Sequence, residues 1–263
     1  MLMKIIKHRL SSEFDTLQIL PLADLHIGDI HSDGKKIQEW LTYIGETDNC
    51  YTILNGDLMN TAIKSSLSDC YTETLNPMEQ LQQCVKLFGP LAEKKKILAV
   101  IQGNHEARIT KQDSIDITEL MCHQLQISDV YSPESALLFI QFGKQSAEKH
   151  NWPVLYTLMA IHGSGAGGRM EGGKVNRLVQ LANIVDADIY LHSHTHLPAI
   201  VKNSYFRVDT RHQNVSKVDR LFVNTSAATD WGGYGEFFSF KPNSLETPLI
   251  ILDGKRHKMQ AVL

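Results

Sequence analysis

The side chains best suited to chemistry fall at five separate points of the chain. Asp24 and His26 lie two apart in Ala-Asp-Leu-His-Ile-Gly, Asp57 closes Leu-Asn-Gly-Asp, and Asn104, His105 and Glu106 follow Gly103. His162 precedes Gly163, and three of the twelve histidines, His192, His194 and His196, crowd into five positions. Imidazole, carboxylate and amide oxygen without thiolate suit borderline first-row cations such as Mn2+, Fe, Zn2+ or Ni2+. Asp24, His26, Asp57, Asn104, His162, His194 and His196 are more ligands than one structural ion takes, which is about four and usually includes cysteine. They suit two ions held roughly 3.5–4 Å apart by a shared carboxylate, as in two-metal hydrolytic sites.

Taken singly, each of these residues has a plainer reading. An Asp after a strand is commonly a turn or helix-capping residue, and Gly103-Asn104 is a common turn pair. Repetition is what favours a site. Apolar runs of strand length cover 17–24, 51–57, 96–105, 154–163, 188–194 and 220–226, and the first five end in these polar residues. The runs are apolar on both faces, as in sheets covered on both sides. In open α/β sheets, ligands bind beyond the carboxyl ends of the strands.

Helical spacing appears between the runs. Ile37, Trp40, Leu41 and Ile44 follow Asp33, a suitable N-cap, and Asn76-Pro77 opens a second helix that Gly89-Pro90 is expected to break or kink. Two more helices are expected over 116–127 and 173–186, and hairpins after about 197. This order predicts a layered α/β fold. No Pro/Ser/Gly-rich linker divides the chain, so one domain over 1–263, without a separate capping domain, is expected.

The ordered blocks Asp24-Leu25-His26, Gly56-Asp57, Gly103-Asn104-His105-Glu106, His162-Gly163 and His194-Thr195-His196 resemble the calcineurin-like metallophosphoesterases. One departure is Ser193, where that family usually has glycine. The resemblance implies an α/β/β/α sandwich with two mixed central sheets and a dinuclear site at the strand ends. It implies one ion on Asp24, His26 and His196, a second on Asn104, His162 and His194, and Asp57 bridging them. His105 would face the substrate as general acid, with Glu106 beside it as a catalytic partner that orients the ring and favours imidazolium. The reaction implied is hydrolysis of a P–O bond by a cation-activated hydroxide, with manganese first among the candidate metals. His192 is left as a support behind the ligands or a structural residue.

The surrounding residues are less specific. Arg108 and Arg169 are candidates to hold phosphate oxygens and Tyr234 to contact substrate, each against the reading of an ordinary loop or helix-face residue. Gly163, Gly165 and Gly168 match a dinucleotide fingerprint, and Gly168 to Lys174 matches a phosphate loop up to Val175, where such a loop needs Ser or Thr. Both are short matches, and the glycines suit close backbone approach to the metals better. Composition adds bounds. With 43% hydrophobic and 21% charged residues the chain reads as globular, and a net charge of −3 gives no bulk attraction to nucleic acid. Cys50, Cys70, Cys84 and Cys122 form no C-x-x-C pair, and no uncharged apolar run is long enough for a membrane span, so a cytoplasmic protein is expected. The Asp-Leu-His-Ile-Gly opening resembles Mre11/SbcD-type nucleases, and the longer Gly-Asn-His-Glu-Ala-Arg block resembles phage and prophage members. A phosphodiesterase acting on a nucleotide or DNA is the resulting expectation. A phosphomonoesterase and a non-catalytic partner-binding scaffold are the alternatives.

Overall fold

A computed structural model of the chain describes residues 3–64, 66, 70–145, 152–164, 170–232 and 241–263. Strands β1 (Lys4–Arg9) and β2 (Thr16–Ile19) lead through helix α1 (Gly34–Glu46) to β3 (Cys50–Asn55). Helix α2 (Pro77–Glu93), β4 (Ile97–Ile101), α3 (Glu106–Asp113) and α4 (Ile117–Gln124) follow. Next come β5 (Tyr131–Ser132), β6 (Ser135–Phe142), β7 (Val154–Ile161), α5 (Glu171–Gln180) and β8 (Ile189–His192). A long hairpin of β9 (Ala199–Asp209) and β10 (Asn214–Asn224) precedes β11 (Leu249–Asp253) and β12 (Met259–Val262).

Local chemistry sets the helix ends. The Asp33 carboxylate accepts from the Lys36 N–H, satisfying a donor that the first turn leaves unpaired. Asn76 accepts from Met78 and Glu79 while the Glu79 side chain accepts from the Asn76 N–H, a reciprocal capping box with Pro77 in the first turn. The expected break at Gly89-Pro90 is not found, because α2 runs on to Glu93. Leu91 on that last turn is buried with Phe88 in the core, and this packing retains the turn despite the missing N–H of Pro90.

The strands form two six-stranded mixed sheets, ordered β1-β6-β7-β8-β10-β9 and β12-β11-β2-β3-β4-β5. Strands β2, β3, β4 and β5 run parallel, as do β7, β8 and β10. Residues Ile37, Trp40, Leu81, Phe88 and Met121 pack helices α1, α2 and α4 on one outer face. Ile19, Ile53 and Ala99 of one sheet meet Leu158, Leu191 and Val223 of the other, and Leu178 of α5 covers Tyr190 and Phe222 on the far side. The result is the expected α/β/β/α layering. Strands β1, β5 and β6 were not among the expected runs. In β6, Ala136 to Ile140 are apolar on both faces, although buried and part-buried residues alternate along the strand.

This architecture positions the site. The ends of β2, β3 and β4 in one sheet and of β7 and β8 in the other face the same edge of the sandwich. All five polar blocks lie just past those ends.

Candidate metal centre

Two trios of side chains offer ligand atoms within 4.8 Å of one another: Asp24, His26 and His196, and Asp57, His162 and His194. Asn104 joins the second, its Oδ1 lying 3.1 Å from His162 Nε2. The seven expected ligands therefore converge from five strand ends. Sequence separation is no obstacle; His26 Nε2 and His196 Nε2 lie 3.3 Å apart across 170 residues.

The backbone at this edge is strained. Asp24, His26, Asp57, His194 and His196 all have positive φ, between 47° and 67°. A non-glycine residue there costs on the order of 1–3 kcal/mol and persists only where its surroundings enforce it. Here the enforcement is visible. The Asp24 and His26 N–H groups donate to Gly56 and Asp57 carbonyls, and the Asp24 carbonyl accepts from Ala228. The His194 N–H donates to Asp24 Oδ2. Gly56 has φ 87°, and a Cβ on it would lie 2.8 Å from the Gly103 nitrogen, so the strands can approach this closely only without a side chain.

The donor set fits cations. His162 Nδ1 donates to the Asn55 carbonyl at 2.7 Å, which leaves Nε2 as a lone pair in the neutral ring. That atom faces Asp57 Oδ2 at 3.2 Å and Asn104 Oδ1 at 3.1 Å, three acceptors meeting without a donor. A proton or a metal ion must sit among them. Likewise His26 Nδ1 donates to Asn60 Oδ1 at 3.2 Å, freeing Nε2 to face His196, and fully buried Asp24 Oδ1 faces His196 Nε2 at 3.3 Å.

In the cation-free cage the proton resides on His162. Burial alone would lower its pKa, but the Asp57 charge and hydrogen bond, with Asp24, raise it to about 10. Asp57 is held well below the usual carboxylate range, burial being outweighed by His162 and His105. A cation must therefore displace a proton. The sign follows: the folded pKa lies above the ordinary 6.5, so this charge stabilises the cation-free fold fully below pH 6.5 and is lost as pH rises through about 10. Metal affinity should rise about tenfold per pH unit from roughly pH 7 toward 10 through this one group. Calorimetric Mn2+ titrations in buffers of different ionisation enthalpy should show the released proton; a pH-independent affinity would refute it.

His105 stands against the same cage. Its ring meets His26 edge-on with centroids 4.4 Å apart, Nδ1 donates to the Asn60 carbonyl at 2.9 Å, and Nε2 lies 3.8 Å from Asp57 Oδ2. It also forms a trio with His26 and Asp57, so distance alone permits it as a ligand.

The expectation for Glu106 needs correction. Its carboxylate does not orient the His105 ring. Fully buried, it accepts from the backbone N–H groups of Asp57, Leu58, Met59 and Gly103 at 2.6 to 3.1 Å. The helical turn that begins at His105 carries Glu106 inward beneath the Asp57 loop, so adjacency in sequence became opposition in space. Nor is imidazolium favoured on His105. Burial drives its pKa to about 3, His26 and Arg108 add to this, and Asp57 opposes them.

His192 is structural. Its Nδ1 hydrogen-bonds Asn224 Oδ1 at 2.7 Å, and its Nε2 would lie 2.4 Å from a Cβ at Gly163, so the ring fills the space that glycine leaves. Ser193 is also accounted for, because its hydroxyl accepts from Asn55 Nδ2 and Thr225 Oγ1. Arg108 is half-buried near enough to His105 to influence its charge. Asp230 lies by His31, whose carbonyl accepts from the Asp230 N–H, Trp231 is exposed, and Arg169 and Tyr234 are outside the described residues. Lys174, the end of the phosphate-loop match, donates to the Thr195 carbonyl between His194 and His196. Asn55, Asn60 and Asn224 were missed in the sequence; they are single amides whose role depends on distant partners, and only the flanking of Gly56-Asp57 by Asn55 and Asn60 gave a signal.

Among protein families, the calcineurin-like phosphoesterase family matches residues 25–198, the span that contains nearly the whole cage. The chain belongs to this family. It is a metal-dependent phosphoester hydrolase. Solved structures with a similar course include a predicted phosphoesterase from Streptococcus pneumoniae, at 15% identity and TM-score 0.38, covering 94% of this chain and 89% of that one. A metallophosphoesterase from Sphaerobacter thermophilus aligns at 12% identity and TM-score 0.42, covering 94% and 89%. A mutant Vps29 from Entamoeba histolytica also aligns at 12% and 0.42, covering 94% and 98%. No curated protein sequence matches significantly. Among the described residues, no helix of this calcineurin-like phosphoesterase is long and apolar enough to cross a membrane.

Proposed function

We propose that the protein is a phosphodiesterase acting on nucleotide or nucleic-acid diesters, with nuclease action as one form of that activity, and that it uses two divalent cations, manganese first among them. One observation carries the hydrolytic reading: two ligand trios meet edge to edge, with Asp57 between them and His105 at their side. The Asp24-Leu25-His26-Ile27-Gly28 opening favours the diester. When bound, a pair of divalent cations supplies positive charge to phosphate oxygens and makes water acidic enough to ionise near neutral pH. His26 and His162 hold their Nε2 lone pairs inward because Asn60 and Asn55 occupy the other ring nitrogens, while Asp57 is held through Oδ1 by the His105 N–H. His105 Nδ1 is likewise committed to Asn60, so Nε2 is the atom that exchanges a proton with the leaving oxygen. The negative charge of a bound phosphodiester raises the His105 pKa from its low resting value and promotes protonation at Nε2. Arg108, on the first turn of α3 and near enough to His105 to lower its pKa, is the proposed contact for a phosphate oxygen.

Turnover of bis-p-nitrophenyl phosphate against p-nitrophenyl phosphate, with Mn2+ present, tests the choice. Faster monoester hydrolysis would favour the phosphomonoesterase instead. His105→Ala should lower kcat roughly 10²–10⁴-fold, as loss of a proton-transfer group does, while leaving metal content unchanged. An unchanged kcat would remove His105 from the reaction. The scaffold alternative is disfavoured because every expected ligand is retained.

A further inference from the structure

We propose that Asp29 and Glu73, acting through Asn60, fix the tautomer of His26 and thereby tune one of the two cation positions; the inference rests on the two-cation reading of the cage. Asn60 is 1% exposed and sits where three demands meet. Its Oδ1 faces His26 Nδ1 at 3.2 Å. Its Nδ2 donates to Asp29 Oδ2 at 3.3 Å and to Glu73 Oε1 at 2.5 Å. Its carbonyl accepts from His105 Nδ1.

Amide orientation is decided by hydrogen-bond logic. Reversed, the amide would set its oxygen against two carboxylates, which accept only. The two acids therefore fix Nδ2 on their side and Oδ1 toward His26. An amide oxygen requires a donor, so the His26 proton is held at Nδ1 and the Nε2 lone pair turns toward Asp24 and His196. Each part of the relay is itself anchored. Asp29 Oδ1 accepts from the His31 N–H, and Glu73 Oε2 accepts from Gln80 Nε2. Gln80 Oε1 in turn accepts from the Thr61 N–H, next to Asn60 in the chain. Thr74 holds the Glu73 segment to the Gly28 carbonyl through both its N–H and its hydroxyl.

A carboxylate often orients a metal-bound imidazole by direct contact. Here an amide stands between, delivering the orientation without placing a full charge on the ring. Asn60, Asp29 and Glu73 are positioning residues. The cation position served by His162, which leans on the Asn55 carbonyl, is independent of them.

Glu73→Ala is the decisive variant, because Glu73 touches neither a ligand nor His105. In the metal-free protein with 15N-labelled histidine, wild-type His26 should show the Nδ1–H tautomer, and Glu73→Ala a mixture of both. By calorimetry with Mn2+, Asn60→Ala should weaken the Asp24/His26/His196 position roughly 10–100-fold, the range for lost outer-sphere partners, and Glu73→Ala should weaken it less. The Asp57/His162/His194 position should keep its affinity. A folded Glu73→Ala protein with the wild-type tautomer and affinity would overturn the proposal, as would equal weakening of both positions. If Asn60→Ala fails to fold, Glu73→Ala alone decides. Wild-type protein that binds no Mn2+ would instead remove the two-cation reading, while the tautomer comparison still judges the relay.

Discussion

Asp57→Asn should abolish activity to within a small residue of the wild-type rate, with kcat/KM down by about 10³-fold or more. That corresponds to roughly 4 kcal/mol of lost transition-state stabilisation. The reason lies in how many roles converge on one carboxylate. Asp57 Oδ1 accepts from the His105 N–H at 2.8 Å and so helps seat the proton-transfer residue. Oδ2 faces His162 Nε2 at 3.2 Å and His105 Nε2 at 3.8 Å, and the carboxylate also lies within 4.8 Å of a His26 ring nitrogen, so its charge reaches both trios. An amide there keeps the shape but loses the charge, and half of it presents hydrogens to neighbours that need an acceptor. Metal stoichiometry by elemental analysis should fall from two ions toward one. Two tightly held ions and near-normal turnover in this variant would show that Asp57 does not bridge.

Glu106→Gln should produce the largest loss of stability of any single change at the site, about 3 kcal/mol. Four backbone N–H groups converge on the carboxylate, using the acceptor capacity of both oxygens. An amide nitrogen in place of one oxygen would confront N–H donors with a donor in a fully buried place. Hydrogen bonds to a charged group contribute about 1.5–3 kcal/mol each, and a buried unpaired donor costs about 1–3 kcal/mol. Burial and the Asp57 charge push the Glu106 pKa up to about 7, with the Met59 N–H and the His162 charge among the opposing influences. The donor geometry fits the ionised form, because a protonated carboxyl would turn a hydrogen toward an N–H. For a chain of this size the melting temperature should drop by roughly 6–12 °C. Because the Asp57, Leu58 and Met59 amides lose their shared anchor, metal affinity should fall with stability. A variant melting within 1 °C of wild type would show that the carboxylate is dispensable; a selective change in the His105 pH profile without loss of stability would restore the catalytic role first expected of it.

Several features could be read without coordinates, because they depend on residue type and chain order. Apolar runs 51–57, 96–105, 154–163 and 188–194 became central strands β3, β4, β7 and β8, buried on both faces except toward the start of β7, where Leu155 is exposed. The caps Asp33 and Asn76 were legible because capping is local. The convergence of these side chains was legible because strand ends in such sheets meet, so repetition of Asp, Asn and His after successive runs already implied it.

The tertiary structure alone decided what each neighbour does. Glu106 follows His105 in sequence, yet helical geometry turns it under the Asp57 loop, and no spacing rule foretells which backbone amides it will find. Pro90 ends a helix in isolation but not where Leu91 and Phe88 pack into a core. Positive φ at Asp24, His26, Asp57, His194 and His196 is invisible in residues that ordinarily avoid it; the strain appears only where other strands hold the loops in place. Residue types fixed which atoms were available to hold a cation. Which hydrogen each imidazole keeps, and hence which lone pair faces inward, was set by Asn55 and Asn60, amides whose partners lie on other loops and strands.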